Sequence, residues 1–243
     1  MRIRVRFEKL GKVRWTSHRD LARIWERVVR VTGLPIAYSQ GFSPHPKLHF
    51  GLALSTGHES LCEYVDLDLD DEAPGLPGPS DLDALPERLS SALPVGVTVD
   101  AVGIIPTSTT SLQQAVVSCE WDIEVRGAGA DDLQAAIERV LAEPELVITR
   151  QRKGKDVTDD IRPYLLDLAV IGPTDAGTRL HAHLATQPRG LRIGELVAVL
   201  GVGEEGYVRR THQWTLVDGA RTEPLDAAAE ATSTPLVEHR RAS

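Results

Sequence analysis

The sequence predicts an α+β fold built from two ferredoxin-like (split β-α-β) units in tandem, with antiparallel sheets and a disordered C-terminal tail. Over residues 1–106, segments with the periodicities of strands and helices follow one another in the order β-α-β-β-α-β. The same order, with one additional strand, recurs over residues 115–220. Residues 221–243 are rich in Ala, Thr and Glu without any periodicity, so we expect them to be disordered.

The first unit begins with residues 1–7, in which charged and apolar side chains alternate as in a half-buried strand. A helix follows, with Ser17 as its N-cap and Gly33 as its stop. Its apolar stripe comprises Leu21, Ile24, Trp25 and Val28, and its other face carries Arg19, Arg23, Arg27 and Arg30. The remaining elements are predicted as extended segments at 34–38, 47–54 and 63–69, a helix at 82–93 and a strand at 95–105.

The second unit follows a polar linker, TSTTSLQQ, and begins with a strand at 115–125. A helix is predicted at 132–142, where Leu133, Ile137, Val140 and Leu141 form one apolar stripe. The other elements are predicted as extended segments at 146–151, 164–171 and 179–185, a helix at 193–200 and a strand at 207–217.

The stretch YSQGFSPHPKLHF, residues 38–50, concentrates backbone-restricting residues in one connection between strands. Gly41 permits a backbone conformation closed to other residues, and two prolines fix their own backbone angles. The connection is therefore predicted to be stiff, with Phe42 anchored in the core and with His45 and Lys47 facing outward to grip a partner. The alternative is a loop that needs its shape only for strand register.

Charge is distributed unevenly along a chain whose formal net charge is −8. Residues 1–60 carry eleven Lys and Arg against four Asp and Glu, which indicates a basic docking surface. Arg2, Arg4 and Arg6 share one face of the first strand, and we expect that face to be the open side of a sheet that contacts RNA phosphates. A second basic group, RQRKGK, comprises Arg150, Arg152, Lys153 and Lys155, and Arg162 is a further expected binding residue. Both groups also have a simpler interpretation as solvated charges.

No reaction of the chain's own is predicted. The two cysteines, Cys62 and Cys119, are too few for an iron–sulfur cluster or a structural zinc site, so no cofactor is expected in this chain. The alternative is an RNA-processing enzyme in which His18 or His45 serves as general base, an analogy that rests on the fold. Without a run of about 18 apolar residues no membrane contact is expected, and few cysteines favour a cytoplasmic location.

The stretch YSQGFSPHPKLHFGLALSTGHESLCEYVDLDL resembles a motif of the bacterial radical SAM-associated, or radical SAM-linked, proteins. A later stretch, RKGKDVTDDIRPYL, and the segment LRIGELVAVLG extend the resemblance, which covers residues 1–217. The insertion DVTDD departs from the pattern of that family. Its members are encoded beside, or fused to, a radical S-adenosylmethionine protein, and often near a gene for ribonuclease E/G.

The resemblance implies a partner. An iron–sulfur cluster and S-adenosylmethionine are expected in a radical S-adenosylmethionine protein that binds this chain, and RNA or a ribonuclease complex is a further expected partner. The predicted function is that of a non-catalytic accessory protein, which acts with this enzyme and presents an RNA or ribonucleoprotein substrate. Its binding residues are expected to be Gly41, His45, Lys47 and the two basic groups. A purely structural partner that stabilises the enzyme is a further alternative.

Overall fold

The computed structural model describes residues 1–152 and 154–227, which form a mixed α+β structure with mostly antiparallel strands. The chain divides into two compact units. Unit 1 contains Met1–Ala53, Glu63–Ala115 and the residues from Thr215 onward, whereas unit 2 contains Leu54–Cys62 and Val116–Trp214.

The predicted domains, 1–106 and 115–220, are each continuous in sequence, whereas both units are assembled from separate segments. Segment Leu54–Cys62 falls in unit 2 because Glu59 and Ser60 pair with residues of that unit, a long-range contact that no local periodicity reports.

Unit 1 contains two principal helices on a small sheet. The strands are β1 (Arg2–Lys9), β2 (Leu48–Phe50), β3 (Glu59–Asp68, whose first residues belong to unit 2) and β4 (Val97–Ile105), and the helices are α1 (His18–Val31), α2 (Leu85–Ala92) and the short α3 (Leu112–Ala115). Tight 3-10 turns lie at Gly11–Trp15 and Pro79–Ala84. The strand order is β4-β1-β3, with β2 paired to β3.

The core of unit 1 follows the predicted periodicities. Ile3, Val5 and Phe7 of β1 are buried against the apolar stripe of α1, and the rings of Phe7 and Trp25 lie 5.1 Å apart. The predicted helix start is confirmed, because the backbone N–H of Asp20 donates to Ser17 Oγ at 3.2 Å. Alternation along β1 and the three-to-four-residue spacing along α1 therefore identify the two faces that meet.

Unit 2 contains a four-stranded sheet and a separate hairpin. The strands are β5 (Ser118–Arg126), β6 (Val147–Arg152), β7 (Lys155–Asp160), β8 (Leu165–Pro173), β9 (Gly177–Ala185) and β10 (Glu204–Val217, whose last residues belong to unit 1), and the helices are α4 (Ala130–Ala142) and α5 (Ile193–Leu200). The sheet order is β10-β5-β9-β8, and β6 and β7 form a separate two-stranded sheet. The insertion DVTDD, for which the sequence predicts no element, lies within β7.

The chain remains ordered beyond the predicted start of the tail. Strand β11 (Ala220–Thr222) pairs with the end of β10, and residues 224–227 are helical. The prediction of disorder from Arg221 was therefore wrong at its boundary, because Asp218 and Gly219 both adopt positive φ angles and turn the chain back as a hairpin. Residues 228–243 lie outside the described part of the chain. Among the described residues, no helix is long and apolar enough to cross a membrane.

Candidate functional site

Residues 38–47, called the proline loop below, form a loop that precedes β2 in unit 1 and whose two sides are joined by hydrogen bonds. The backbone N–H of Lys47 donates to Ala37 O at 2.9 Å, and that of Ser39 donates to His45 O at 2.9 Å. The N–H of His45 donates to Ser39 Oγ at 3.0 Å. These bonds join the two sides of the loop, so its conformation is fixed before any partner binds.

Phe42 lies at the tip of the proline loop, where residues 40–45 are all exposed. Its relative exposure is 110%, so the whole ring is in solvent. The prediction that Phe42 anchors the loop in the core was wrong. Hydrogen bonds between residues of the loop itself close it and leave Phe42 at its exposed tip. Gly41 has a φ of +133°, a conformation that favours glycine, and directs the chain into this tip.

The proline loop also exposes His45 and Lys47, as the sequence analysis expected. Tyr38, at the start of the loop, is about half exposed. An aromatic ring, an imidazole and an ammonium group therefore share one preformed loop, which is a suitable combination for contacts with another molecule.

Arg4 of β1 is buried in an ion pair rather than displayed. Its Nε and Nη2 donate to the two carboxylate oxygens of Asp66 on β3, at 2.7 and 2.9 Å. The side chain of Arg4 is 2% exposed and that of Asp66 3%. This bidentate geometry satisfies both charged groups away from water.

Arg2 and Arg6 make similar pairs, and with Arg4 they are called the arginine ladder below. Arg2 Nε donates to Asp68 Oδ1 at 2.5 Å, and Arg6 Nε donates to Asp100 Oδ2 at 2.6 Å. Burial alone would raise the pKa of Asp68, but the hydrogen bonds from Arg2 and from a neighbouring histidine outweigh it and hold that pKa below its ordinary value. The hydrogen bond to Asp68 also raises the pKa of Arg2. The arginine ladder is therefore neutralised within unit 1.

The C-terminal segment covers this face of the sheet. Pro224 O accepts a hydrogen bond from Arg4 Nη1 at 2.9 Å, and the carboxylate of Glu223 accepts one from Arg6. A Cβ on Gly103 of β4 would lie only 3.0 Å from Leu225. The expectation that the arginines line the open side of a sheet was therefore wrong for Arg4, because residues 223–225 pack over it.

The described residues of the second basic group lie on the β6–β7 hairpin, where Arg152 is opposite Lys155, and Arg162 lies outside that hairpin. Arg150 Nε donates to Asp159 Oδ2 at 2.9 Å within the β6–β7 hairpin, and this bond is the main reason that the pKa of Asp159 lies below its ordinary value. Arg162 donates to the carbonyl oxygens of Leu141 and Leu165, both at 3.1 Å, and thus caps the end of α4. Lys155 is exposed, Arg152 ends β6, and Lys153 lies outside the described residues.

Two features of unit 1 were not among the binding residues expected from the sequence. Trp15 ends the Gly11–Trp15 turn with 64% of its side chain exposed. The arginines of α1, at positions 19, 23, 27 and 30, are all exposed.

Unit 2 contains a shallow cavity of about 450 Å³ at the start of α5. Buried His58 lines it, with Nε2 2.9 Å from Glu205 Oε1. His58 Nδ1 has no hydrogen-bond partner among the described residues. The candidate histidines of the sequence analysis lie elsewhere, with His18 exposed and its ring edge-on to Phe50 at 5.3 Å.

No curated protein matches the sequence. Three solved structures contain chains with a distantly similar fold, and this chain spans about half the length of each. A chain of a Cbf5–Nop10–Gar1 complex is 12% identical, with a TM-score of 0.47 over 87% of this chain and 48% of that one. The corresponding values are 14%, 0.47, 87% and 47% for an H/ACA ribonucleoprotein bound to a substrate RNA containing 2′-deoxyuridine. They are 13%, 0.45, 87% and 47% for the archaeal box H/ACA Nop10–Cbf5 complex.

The sequence profile of one protein family matches residues 2–208, which include the proline loop, the arginine ladder and nearly all of unit 2. The match covers most of the chain and both compact units. The chain therefore belongs to the family described as "Uncharacterized protein conserved in bacteria (DUF2344)".

Proposed function

We propose that this chain is an accessory protein without catalysis of its own, and that it docks on a protein partner through the proline loop. The observation that carries the proposal is Phe42, a fully exposed ring at the tip of a loop that is closed by its own hydrogen bonds. An exposed phenylalanine in a fixed position is suited to insertion into an apolar pocket.

The free energy of burial favours a binding role for Phe42 over a role in stabilising the fold. Full burial of a phenylalanine ring contributes about 1.5–3 kcal/mol, and at 110% exposure Phe42 obtains none of it in the free chain. Because the loop is already closed, little conformational entropy is lost when the ring is captured. His45 and Lys47, exposed on the same loop, would form the polar rim of the contact.

The partner suggested by the sequence resemblance is a radical S-adenosylmethionine enzyme. Such an enzyme would hold the iron–sulfur cluster and S-adenosylmethionine, and this chain would present an RNA or ribonucleoprotein substrate to it, with a ribonuclease complex as a further partner.

We further propose that both units are ferredoxin-like. The support is their common strand order. Unit 1 has the order β4-β1-β3-β2. In unit 2, with the β6–β7 hairpin taken as an insertion, the first, second, third and fourth strands are β5, β8, β9 and β10, and their order β10-β5-β9-β8 is the same.

The docking proposal is tested by titrating the purified chain with the radical S-adenosylmethionine protein of the same genome. Phe42→Ala should lower the affinity about 10- to 150-fold, the equivalent of the lost burial, without changing the melting temperature. Val95→Ala, which trims an equally exposed apolar side chain in unit 1, is the matched control and should bind like the parent.

If Phe42→Ala and the parent bound the radical S-adenosylmethionine protein with equal affinity, the proline loop would serve only the fold. Absence of any complex with the parent would remove the accessory role. Cleavage or modification of RNA by the isolated chain would favour the alternative of an RNA-processing enzyme. A complex that stabilises the enzyme without altering its use of RNA would favour the alternative of a purely structural partner.

A further inference from the structure

The exposed side of α1 carries a continuous row of arginines. Arg19, Arg23, Arg27 and Arg30, called the α1 row below, are all exposed. At 100° per residue they lie within an arc of about 80°, and at 1.5 Å per residue they span about 16 Å along the helix. The opposite side of α1, with Leu21, Trp25, Val28 and Val29, is buried in the core of unit 1. The row is therefore held in place by a packed helix.

The α1 row is only weakly compensated. Arg23 Nη1 lies 3.1 Å from Asp20 Oδ1, in an exposed pair. In the described part of the chain no carboxylate pairs with the other three arginines of the row, and Glu26 is the one further acidic residue of the helix. A chain with a net charge of −8 thus keeps on one helix a row of four arginines of which, among the described residues, Arg23 alone has a carboxylate partner.

This arrangement costs helix stability. Arginines four residues apart repel each other on a helix surface, and two such pairs occur in the α1 row. Arg19 also lies in the first turn, where the helix dipole disfavours a positive charge. Because the four side chains are exposed, they contribute little to the core of unit 1. These effects oppose part of the row, whereas Arg30 lies in the last turn, where the dipole favours a cation. A role outside the fold of unit 1 would account for keeping all four arginines.

Trp15 is presented immediately before α1. Its ring is 64% exposed, and the guanidinium carbon of Arg14 lies 5.4 Å from the ring centroid. Buried Lys9 fixes this turn, because its Nζ donates to Thr16 O at 2.9 Å and to Arg14 O at 3.3 Å. A largely exposed aromatic ring is therefore presented four residues before Arg19, on a turn whose backbone Lys9 holds in place.

We propose that the α1 row and Trp15 bind a single strand of nucleic acid. Arginines along one line match a phosphodiester backbone, and an exposed indole provides a surface on which a base can stack. An acidic peptide would satisfy the arginines and leave Trp15 without a matching group. A membrane surface would need a continuous apolar face on α1, but that face is buried, and the exposed large apolar side chains at the helix are the separate Trp15 and Val31. Single-stranded nucleic acid would then be the substrate that the accessory protein presents. The presenting role rests on the proposed function, whereas the binding of nucleic acid does not.

The test is fluorescence anisotropy of a labelled oligouridylate of about 12 nucleotides, titrated with the full chain between about 50 and about 200 mM KCl. Arg19→Gln with Arg27→Gln should weaken binding and reduce the slope of log K against log salt by about 1.4, since each phosphate contact to a single strand contributes about 0.7. The matched control removes two exposed arginines of unit 2, Arg126→Gln with Arg179→Gln, and should leave the slope unchanged.

Trp15→Leu tests the stacking surface separately from charge. It should weaken binding roughly 5- to 150-fold, whereas Trp15→Phe should keep most of the affinity, because a phenyl ring still stacks. Phe42→Ala should bind the oligonucleotide like the parent, so a failure at the proline loop is distinguishable from a failure here. An oligodeoxythymidylate and a duplex of equal length show whether the strand is RNA or DNA and whether it must be single.

Several results would overturn the proposal. One is that the parent fails to bind the oligouridylate or the oligodeoxythymidylate at low salt. Another is that the α1 double variant and the unit 2 control lose affinity equally, which would leave bulk charge as the cause. A third is that the chain prefers vesicles of anionic phospholipid or a polyglutamate peptide and requires the same arginines for them.

Discussion

Unit 1 contains two rows of arginines that look alike in the sequence but differ in pairing and exposure in the structure. The arginine ladder of β1 is paired with aspartates, and its middle member is buried. The α1 row is exposed along its length and meets one aspartate. The comparison shows that a run of cations indicates a binding surface only when the neighbouring elements do not supply the matching anions.

Strand geometry explains why one row is matched. Side chains on one face of a strand recur every second residue, and the adjacent strand lies about 4.8 Å away with the same period. The sequence VDLDL of β3 places Asp66 and Asp68 at that spacing beside Arg4 and Arg2. A surface helix has no such neighbour on its exposed side, so its arginines are matched only by residues of the same helix.

The largest effect is expected where the ladder is buried. Arg4→Ala should lower the free energy of unfolding by about 3–5 kcal/mol, because Asp66 would be left charged and without its partner in the interior. Urea unfolding at neutral pH measures this change. The lost hydrogen bond to Pro224 O should also loosen the C-terminal segment, which limited proteolysis would detect.

The control for Arg4 replaces both partners by apolar residues. Arg4→Met with Asp66→Leu should recover most of the lost stability, because removal of both charges also removes the cost of burying them. If Arg4→Ala proved harmless by itself, the ladder would be a set of solvated charges and the contrast with α1 would disappear.

An intermediate effect is expected from acid. The pKa of Asp68 is lower in the folded chain than its unfolded value of about 3.9, so its contribution to stability is complete above that value and is lost as pH falls through the folded pKa. Urea midpoints measured between about pH 7 and about pH 3 should therefore fall at the acidic end. Asp68→Asn should flatten part of that fall, whereas a parallel curve for the variant would contradict the ladder's role.

Local patterns were sufficient to predict most elements. Alternation identified β1, and an apolar stripe with Ser17 as N-cap identified α1. The Asp218–Gly219 turn was present in the sequence as a hairpin signal, so the strand that follows it could have been predicted. The division into units depends on pairings between distant segments, such as Glu59 with Arg209, which no local pattern contains.

The candidate site was predicted less well than the fold. The proline loop was recognised as stiff and its His45 and Lys47 as exposed, yet Phe42 was assigned to the core because apolar residues usually are buried. Burial of an apolar residue in a loop depends on whether the loop folds back on the body or closes on itself. The hydrogen bonds between Ser39 and His45 decide this, and they are visible only in three dimensions.

The smallest change in stability is expected from substitutions in the α1 row. Arg19→Gln should raise the free energy of unfolding by about 0.5 kcal/mol, because it removes a positive charge from the first turn of α1 and one repulsion with Arg23. Arg30→Gln is the matched control in the last turn, where the dipole favours a cation, and it should be neutral or slightly destabilising. Thermal and urea unfolding of the two variants provide the measurement. A loss of stability in Arg19→Gln would mean that this arginine serves the fold, and the α1 row would then resemble the ladder after all.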